Sequence, residues 1–479
     1  MLESWQSAEA SLPVSCALGR TCMVILSDPL QGLADLAMAW DLQCVAYAPA
    51  HAWRLRREQR LHALLTHARS RCALYRRAAP VGEPASASLD AWPVVHKAEL
   101  MRRFADWVTE PDVTLPALRA FVGDPQRIGE SFGRGMAVWE SSGSSGEPGL
   151  FVHDAQALRV YDLLEALRRP RRWLGAGPLA FVGATHGHFA SVCTIERLRR
   201  QHAWLAPHLR SMSFLRPMSE LVAELERFAP RLLAAYPSTA LALAEEAAAG
   251  RLKLSLQSVW VGGETLTPAV RAAVQQAFGA PVINSYGASE CLTLAGECDH
   301  GALHLNADWV ILEPVDEQDR PVEPGTFGAT TLLTNLANFV QPMIRYDIGD
   351  RVRLLPQPCA CGSSLPVIEV EGRSDDCLVL RTAQGRTVRL PPLALVSVLE
   401  EAGVFDFQLR QQGDSALGLV LAHGGAQGER ELERARRALH AYLRTQGLDR
   451  TRVDGHCGQP CRHSRSGKTA RIIGARTGV

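Results

Sequence analysis

The amino-acid sequence predicts an α/β protein. Its large N-terminal domain is expected to consist of α/β subdomains plus a β-rich subdomain, followed by a small, mobile α+β C-terminal domain. Short apolar segments alternate with amphipathic ones between about residues 154 and 290, which is typical of largely parallel sheets covered by helices. From about residue 303 strand-like segments predominate, and beyond residue 372 strand and helix patterns mix again over about a hundred residues, the length of a small domain.

These changes of pattern predict three parts of the chain. Residues 1–54 are expected to form an N-terminal extension, and residues 55–371 a large domain whose part from about 298 to 371 is β-rich. Residues 372–479 are expected to form a small C-terminal lid domain.

The individual elements follow from periodicity and capping residues. Arginines interleaved with leucines predict an amphipathic helix over 53–77. Asp154 has the side chain of a helix cap and predicts a helix that runs to about Arg168. Further strands are predicted at 178–184, 231–236, 258–261 and 282–283, and further helices at 218–228, 241–249, 268–278 and 429–443.

Composition limits the classes of function. The chain has 479 residues, 47% of them hydrophobic, and a formal net charge of +1. This balance argues against nucleic acid or an anionic membrane as an obligate partner. No apolar segment reaches the roughly 18 residues of a membrane span, and the first residues do not have the pattern of a signal peptide. Twelve cysteines spread along the chain favour a reducing compartment, so a cytoplasmic location is expected.

A Ser/Gly loop is the most distinctive stretch of the chain. Its core residues are Ser141, Ser142, Gly143, Ser144, Ser145 and Gly146. Small hydroxyl residues and glycines let backbone amides approach an anion closely, which predicts a phosphate-binding loop. A flexible linker is the alternative, but apolar residues on both sides of the loop argue against it.

Five further clusters contain candidate binding or catalytic residues. Two of them follow predicted strands, namely Gly262-Gly263-Glu264 and Tyr286-Gly287-Ala288-Ser289-Glu290, and open α/β sheets bind ligands at such positions. The other three are a turn that ends at Asp350, a segment with Arg373 and Asp375, and a glycine followed by Lys468. Each motif alone is weak, since an Asp in a turn is usually structural.

The order of these motifs resembles that of the adenylate-forming superfamily, from about residue 55 to the C-terminus. The Ser-Ser-Gly-Ser-Ser-Gly loop and the short N-terminal half look most like those of phenylacetate–CoA ligases and of coenzyme F390 synthetase-related proteins. Such enzymes join a carboxylate to ATP, which gives an acyl-adenylate and pyrophosphate, and then transfer the acyl group to a thiol. The resemblance implies that loop 141–146 binds the β- and γ-phosphates, that Ser289 contacts the α-phosphate and that Glu290 holds Mg²⁺.

The resemblance also implies roles for the remaining candidates. Asp350 would bind the ribose hydroxyls with Arg373 nearby, and Lys468 would be the catalytic lysine that stabilises the transition state. Asp375 would be the hinge of the small domain. Gly262, Gly263, Glu264, Tyr286 and Gly287 would border the adenine and the carboxylate pocket, and His188 would contact the carboxylate or gate that pocket.

Two features complete the resemblance. Related loops often carry lysine where this chain has Glu147 and Gly149, so phosphate binding here must rely on backbone amides, Mg²⁺ and other cations. The residues Cys298, His304, Cys359 and Cys361 resemble a zinc site of phenylacetate–CoA ligase-like enzymes, and thiolate and imidazole ligands suit a closed structural Zn²⁺. Four unrelated residues are the alternative.

The sequence therefore predicts an ATP- and Mg²⁺-dependent ligase that activates a small aromatic carboxylic acid, with CoA as the acceptor. The first alternative keeps the adenylation but transfers the acyl group to the phosphopantetheine thiol of an acyl carrier protein. The second alternative is a non-catalytic, zinc-stabilised nucleotide-binding protein, which the lysine-free loop would fit. Lys468, Glu290 and Asp350 together argue against this second alternative.

Overall fold

The computed structural model describes residues 29–78, 89–141, 149–168, 177–371, 378–404, 407–422, 425–458 and 471–474. The α-helices in these residues are α1 (Pro29–Tyr47), α2 (Ala50–Arg71), α3 (Ala73–Ala78), α4 (Lys97–Arg102), α5 (Phe104–Trp107), α6 (Leu115–Val122), α7 (Ala155–Leu167), α8 (Ala190–Gln201), α9 (Met218–Phe228), α10 (Pro237–Ala248), α11 (Pro268–Phe278), α12 (Pro392–Glu401) and α13 (Gly425–Thr445). In this described part, no helix has both the length and the apolar character that crossing a membrane requires.

The strands are given in chain order. They are β1 (Ala137–Glu140), β2 (Leu150–His153), β3 (Leu179–Gly183), β4 (Leu209–Ser213), β5 (Leu232–Ala235), β6 (Ser258–Gly262), β7 (Val282–Ala288), β8 (Cys291–Glu297), β9 (Leu303–Leu305), β10 (Val310–Val315), β11 (Thr330–Asn335), β12 (Met343–Asp347), β13 (Val352–Leu355), β14 (Val367–Val370), β15 (Leu378–Arg381), β16 (Thr387–Leu390), β17 (Phe407–Gly413), β18 (Ala416–Leu421), β19 (Arg452–Cys457) and β20 (Ile472–Ile473).

A nine-stranded mixed sheet forms the centre of the large domain, in the order β13-β14-β9-β8-β7-β6-β5-β3-β4. The strands from β4 to β7 are parallel to their neighbours, whereas β8, β9, β14 and β13 pair antiparallel. Every residue of β3 is buried, as expected for a strand covered by helices on both faces. The predicted α/β class is confirmed, and the carboxyl ends of β5, β6 and β7 meet at one edge of this sheet.

Most predicted elements are present, and the differences have local causes. Helices α9 and α11 have the predicted bounds, and Asp154 caps α7 by accepting from the amide of Ala157 at 2.7 Å. The single helix predicted over 53–77 is two helices, because the backbone of Cys72 is extended. Helix α10 begins at Pro237, four residues before the predicted start, because proline is well suited to a first helical position.

The antiparallel hairpin of β7 and β8 departs most from the predicted pattern. The sequence predicts only a two-residue strand at 282–283, whereas β7 continues through the Tyr-Gly-Ala segment to Ala288 and turns directly into β8. The small and polar residues of β7 have low intrinsic β-propensity, so the sequence does not predict this part as a strand. It forms a strand in the structure because pairing and packing decide strand formation more than intrinsic preference does.

The N-terminal helices pack against the large domain. Leu42 and Val45 of α1 are fully buried in the same core as Leu64 and Leu65 of α2. Beside them, the buried carboxylate of Asp308 lies 2.7 Å from Arg168 and 3.2 Å from Arg60. Burial of a charge normally carries a desolvation penalty, which the paired guanidinium groups of Arg168 and Arg60 offset.

The C-terminal residues form a hairpin of β15 and β16, a four-stranded sheet in the order β19-β18-β17-β20, and the helices α12 and α13. This part contacts the large domain at several points. The side-chain amide of Gln446 donates to the carbonyls of Leu215 and Arg216 at 3.4 and 3.2 Å, and Arg389 forms an ion pair with Glu245.

Candidate active site

The two predicted clusters at the ends of β6 and β7 are neighbours in the structure. The strands are paired so that Gly262 lies opposite Ser285. A Cβ atom on Gly262 would lie 2.9 Å from the Ser285 hydroxyl, and one on Gly263 would lie 3.0 Å from the ring of Tyr236. A Cβ on Gly287 would overlap the carbonyl oxygen of Leu292. These glycines therefore let the backbones approach closely at the sheet edge.

Glu264 is bound at the start of helix α10. Its two carboxylate oxygens accept hydrogen bonds from the amide and the hydroxyl of Ser238, both at 2.9 Å. A carboxylate at a helix N-terminus is stabilised by the amides and the dipole of that helix. The structure thus fixes the side chain of Glu264 at the N-terminus of α10.

A hydrogen bond joins two residues that the sequence predicts from separate motifs. The hydroxyl of Tyr286, on β7, donates to Oδ2 of Asp350 at 2.9 Å. Asp350 follows β12 and comes from the β-rich part of the large domain. Asp350, which is predicted to bind the ribose hydroxyls, therefore lies beside Tyr286, which is predicted to border the adenine.

Glu290 occupies the buried centre of this region. The hydroxyl of Tyr346 donates to Oε1 of Glu290 at 2.8 Å. The side-chain amide of Asn335 donates to the backbone carbonyl of Glu290 at 3.0 Å. Burial raises the pKa of the Glu290 carboxyl, which the hydrogen bond from Tyr346 partly opposes. A buried carboxylate with one oxygen oriented by a tyrosine suits a hard cation such as Mg²⁺.

Ser289 and Ser141 tie this centre to the Ser/Gly loop. The hydroxyl of Ser289 donates to the carbonyl of Glu140 at 2.9 Å. The amide of Ser141 donates to the carbonyl of Gly149 at 2.9 Å, and the amide of Gly149 donates to the Ser141 hydroxyl at 3.1 Å. The base of the loop is therefore closed next to Ser289 and Glu290.

Several predicted residues lie outside the described part of the chain. They are Ser142, Gly143, Ser144, Ser145 and Gly146 of the loop, Arg373, the predicted hinge Asp375 and the predicted catalytic Lys468. Their roles remain predictions.

His188 does not join the other candidates. Only 1% of it is exposed, its Nε2 lies 3.2 Å from the carbonyl oxygen of Asp124, and its ring packs on Phe121 with 5.1 Å between centroids. Burial lowers its pKa. These contacts favour a structural role for this histidine.

His186, two residues earlier, contacts helix α12 instead. Its Nε2 lies 3.3 Å from Oε1 of Glu401 on α12, and its side chain is 21% exposed. Within the described residues, its buried Nδ1 has no hydrogen-bond partner. Burial lowers its pKa to about 4, so the ring is neutral at pH 7. The sequence prediction named His188 and not His186, because the pattern His-Gly-His does not indicate which ring packs on Phe121 and which contacts α12.

Glu140, directly before the loop, was also missed from the sequence. Burial and the charge of Glu400 raise its pKa to about 7. A single Glu at a strand end gives no signal of such surroundings, because Glu400 belongs to a distant part of the chain.

The four predicted zinc ligands come together. The ligand atoms of Cys298, His304, Cys359 and Cys361 all lie within 4.8 Å of one another. The sulfurs of Cys298 and Cys359 are 3.8 Å apart, and Cys361 Sγ is 3.3 Å from His304 Nε2. For a tetrahedral zinc with Zn–S of about 2.3 Å and Zn–N of about 2.0 Å, these edges should be about 3.8 and 3.5 Å.

The surroundings of the cluster also suit zinc. His304 Nδ1 lies 2.9 Å from the carbonyl oxygen of Leu365, which leaves Nε2 as the ligating nitrogen. The amide of Cys361 donates to Cys359 Sγ at 3.5 Å. The next residues are fixed to α1, since the Ser363 hydroxyl donates to the Ala46 carbonyl at 2.9 Å. The residues present therefore fit a structural zinc ion.

Known proteins resemble this chain in sequence over part of its length. Residues 56–332 match the family model described as AMP-binding enzyme. Phenylacetate-coenzyme A ligase from Thermus thermophilus is 28% identical over 198 residues, which are 40% of this chain and 44% of that protein. The enzyme of the same name from Aromatoleum evansii is 29% identical over 165 residues, 33% of this chain and 37% of that protein. The chain thus matches less than half the length of these curated relatives.

Solved structures support the fold. A 2-hydroxyisobutyryl-CoA ligase in complex with 2-HIB-AMP and CoA, in the thioesterification state, superimposes with a TM-score of 0.57. The two chains are 22% identical, and the alignment covers 90% of this chain and 91% of the other. At this identity the likeness shows the fold alone.

Proposed function

Because this chain belongs to the AMP-binding enzyme family, we propose that it is an ATP-dependent acid–thiol ligase that forms an acyl-adenylate and then a thioester. The observation that carries the proposal is the pair of tyrosine hydrogen bonds, Tyr286 to Asp350 and Tyr346 to Glu290. They bring separate motifs together at the carboxyl edge of the parallel strands, where open α/β sheets bind ligands.

The residues of the cleft suit an adenylation step. Asp350 would accept hydrogen bonds from the ribose hydroxyls, and Glu290 would hold Mg²⁺ against the phosphates. Ser141, at the closed base of the loop, and Ser289 would line the phosphate path. Lys468, by its place in the sequence, would then stabilise the charge that develops as the acid attacks the α-phosphate.

We propose a small aromatic acid as the substrate. The rings of Phe181 and Phe214 pack on Tyr236, with their centroids 6.2 and 5.7 Å from that of the tyrosine ring. Tyr236 borders Gly263, so this aromatic group lies next to the cleft. Aromatic side chains prefer such edge contacts with other rings. Phenylacetate, in the names of the relatives, is an acid of this class.

CoA is the proposed acceptor, with the phosphopantetheine thiol of an acyl carrier protein as the alternative. The names of the relatives favour CoA. Zinc is proposed as a structural ion only, because all four coordination positions are taken by protein ligands and closed sites do not activate a water.

Acid-dependent exchange of pyrophosphate into ATP, measured over a panel of aromatic and aliphatic acids, tests this function. We expect exchange with aromatic acids and, on addition of CoA, thioester formation. An Asp350→Asn variant should raise the KM for ATP by about 10-fold or more, because a hydrogen bond to a charged group contributes about 1.5–3 kcal/mol.

The exposed Asp449→Asn variant is the matched control and should behave as the unmodified protein. Absence of exchange with every acid would favour the non-catalytic nucleotide-binding alternative. Exchange followed by transfer to a carrier protein but not to CoA would replace the proposed acceptor.

A further inference from the structure

Lysine is nearly absent from this chain. Only three of its 51 basic Lys and Arg residues are lysines, namely Lys97, Lys253 and Lys468. The two side chains differ, since lysine carries a compact point charge on a slender stem whereas arginine carries a broad planar fork. In a chain that otherwise uses arginine, each lysine is a candidate for a place that requires the compact group. Lys253 is exposed, and Lys468 already has a predicted role, which leaves Lys97.

The side chain of Lys97 lies against the base of the Ser/Gly loop. A Cβ atom on Gly149 would be 3.0 Å from Lys97 Cδ, 2.9 Å from the Ser141 hydroxyl and 2.8 Å from the ring of Phe151. The lysine stem therefore occupies the space that a side chain at position 149 would fill. Residues 141–149 contain Glu147 and no basic residue, so Lys97 brings a positive charge to a loop that has none of its own.

The backbone holds Lys97 in this place. The amide of Val95 donates to the carbonyl of Arg345 at 3.1 Å, and the amide of Asp347 donates to the carbonyl of Val95 at 2.9 Å. These bonds attach the segment before α4 to β12 as a short parallel bridge. Tyr346 of the same strand orients Glu290, so one strand positions both Lys97 and the proposed Mg²⁺ carboxylate.

The stem of Lys97 thus lies beside Ser141 and Gly149, at the closed base of the loop. The β- and γ-phosphates of a Mg²⁺-bound nucleotide need a cation at such a position, because their negative charge exceeds that of the metal ion.

We propose that Lys97 is a nucleotide-binding residue that contacts the β- and γ-phosphate oxygens of ATP beside Ser141 and Gly149. It replaces a cation within the loop by one supplied from helix α4. The inference rests on the proposed function, since it takes ATP as the nucleotide. An ammonium group is a common phosphate ligand in proteins, and its bonds to phosphate are charge-assisted.

The test is equilibrium binding of Mg–ATP and of AMP to a Lys97→Met variant, without any acid, so that no turnover is required. Methionine keeps an unbranched stem over Gly149 and removes the charge. We expect the Kd for ATP to rise about 10- to 100-fold, the range for loss of a hydrogen bond to a charged group, and the Kd for AMP to change less than about 2-fold. Lys97→Arg should recover part of the ATP affinity, whereas Lys253→Met should bind both nucleotides normally.

The outcomes separate this inference from the proposed function. Unchanged ATP affinity in Lys97→Met would overturn the proposed role of Lys97. Equal losses of affinity for ATP and AMP, together with a lower melting temperature, would also overturn it, because they would show that Lys97 is a structural residue. If the unmodified protein exchanges pyrophosphate while Lys97→Met binds ATP normally, only this inference falls. If the unmodified protein shows no exchange with any acid but Lys97→Met loses ATP selectively, the proposed catalysis falls and the phosphate contact stands.

Discussion

Loss of the proposed zinc ion should destabilise the large domain by an amount that follows from the position of the four predicted ligands. The change is the double variant Cys298→Ser, Cys361→Ser, which leaves His304 and Cys359 as the remaining ligands. Two ligands do not hold zinc tightly, so we expect no bound metal after dialysis. The loop of 61 residues between Cys298 and Cys359 then loses its cross-link.

The size of this effect can be estimated. A cross-link that closes a loop of this length stabilises a fold by about 4 kcal/mol in the chain-entropy relation. A domain of about 300 residues has an unfolding entropy of about 0.6 kcal/mol/K, so this loss corresponds to a fall in Tm of about 6 °C. The β-rich part and α1 should loosen first, because Ser363 and Ser364 next to the cluster are bonded to the carbonyl of Ala46.

Metal analysis of the purified protein and thermal unfolding with and without a chelator measure these quantities. We expect one zinc per chain in the unmodified protein, none in the double variant, and a Tm that the chelator lowers only in the former. Cys457→Ser is the matched control, because Cys457 is similarly exposed but lies on β19. Full zinc retention in the double variant would refute the assignment of the ligands, and a metal-free variant with an unchanged Tm would refute the cross-link argument.

Two further predictions concern the reaction. Lys468→Ala should slow adenylation by about 100-fold or more, because it removes a group that stabilises charge in the transition state. Thioester formation from preformed acyl-adenylate should continue. An equal loss of rate in both half-reactions would contradict the role of Lys468. Tyr346→Phe should raise the Mg²⁺ concentration for half-maximal exchange about 10-fold, because it frees the Glu290 carboxylate. Tyr286→Phe is the control and should affect the KM for ATP instead. Identical effects of the two changes would show that Tyr346 does not act through Glu290 and that Tyr286 does not act through Asp350.

The parts of this protein that the sequence predicted are those with local signals. The order of the motifs predicted the superfamily, and this prediction is confirmed. The helices that follow Asp154 and Thr267 were placed correctly, because these residues cap α7 and α11 in the structure as well. The α/β class followed from alternating patterns that depend only on neighbours in the chain.

The parts that the sequence did not predict depend on contacts between distant residues. The pattern around His186 and His188 could not decide which ring packs on Phe121 and which faces α12. The raised pKa of Glu140 arises from burial and from Glu400, more than two hundred residues away in the sequence. The motifs of the sequence assigned no role to Lys97, since its position beside Gly149 exists only after β12 has positioned the start of α4.

One ion pair and one electrostatic interaction relate Arg471 to the residue before the Ser/Gly loop. Arg471, the first described residue after Lys468, donates to Oε1 of Glu400 at 2.7 Å. Glu400 lies on α12, and its charge adds to the effect of burial on the pKa of Glu140, the residue before Ser141. The predicted role of Lys468 requires its segment to approach this loop, and the contact of Arg471 with Glu400 is an observation that supports this proposal.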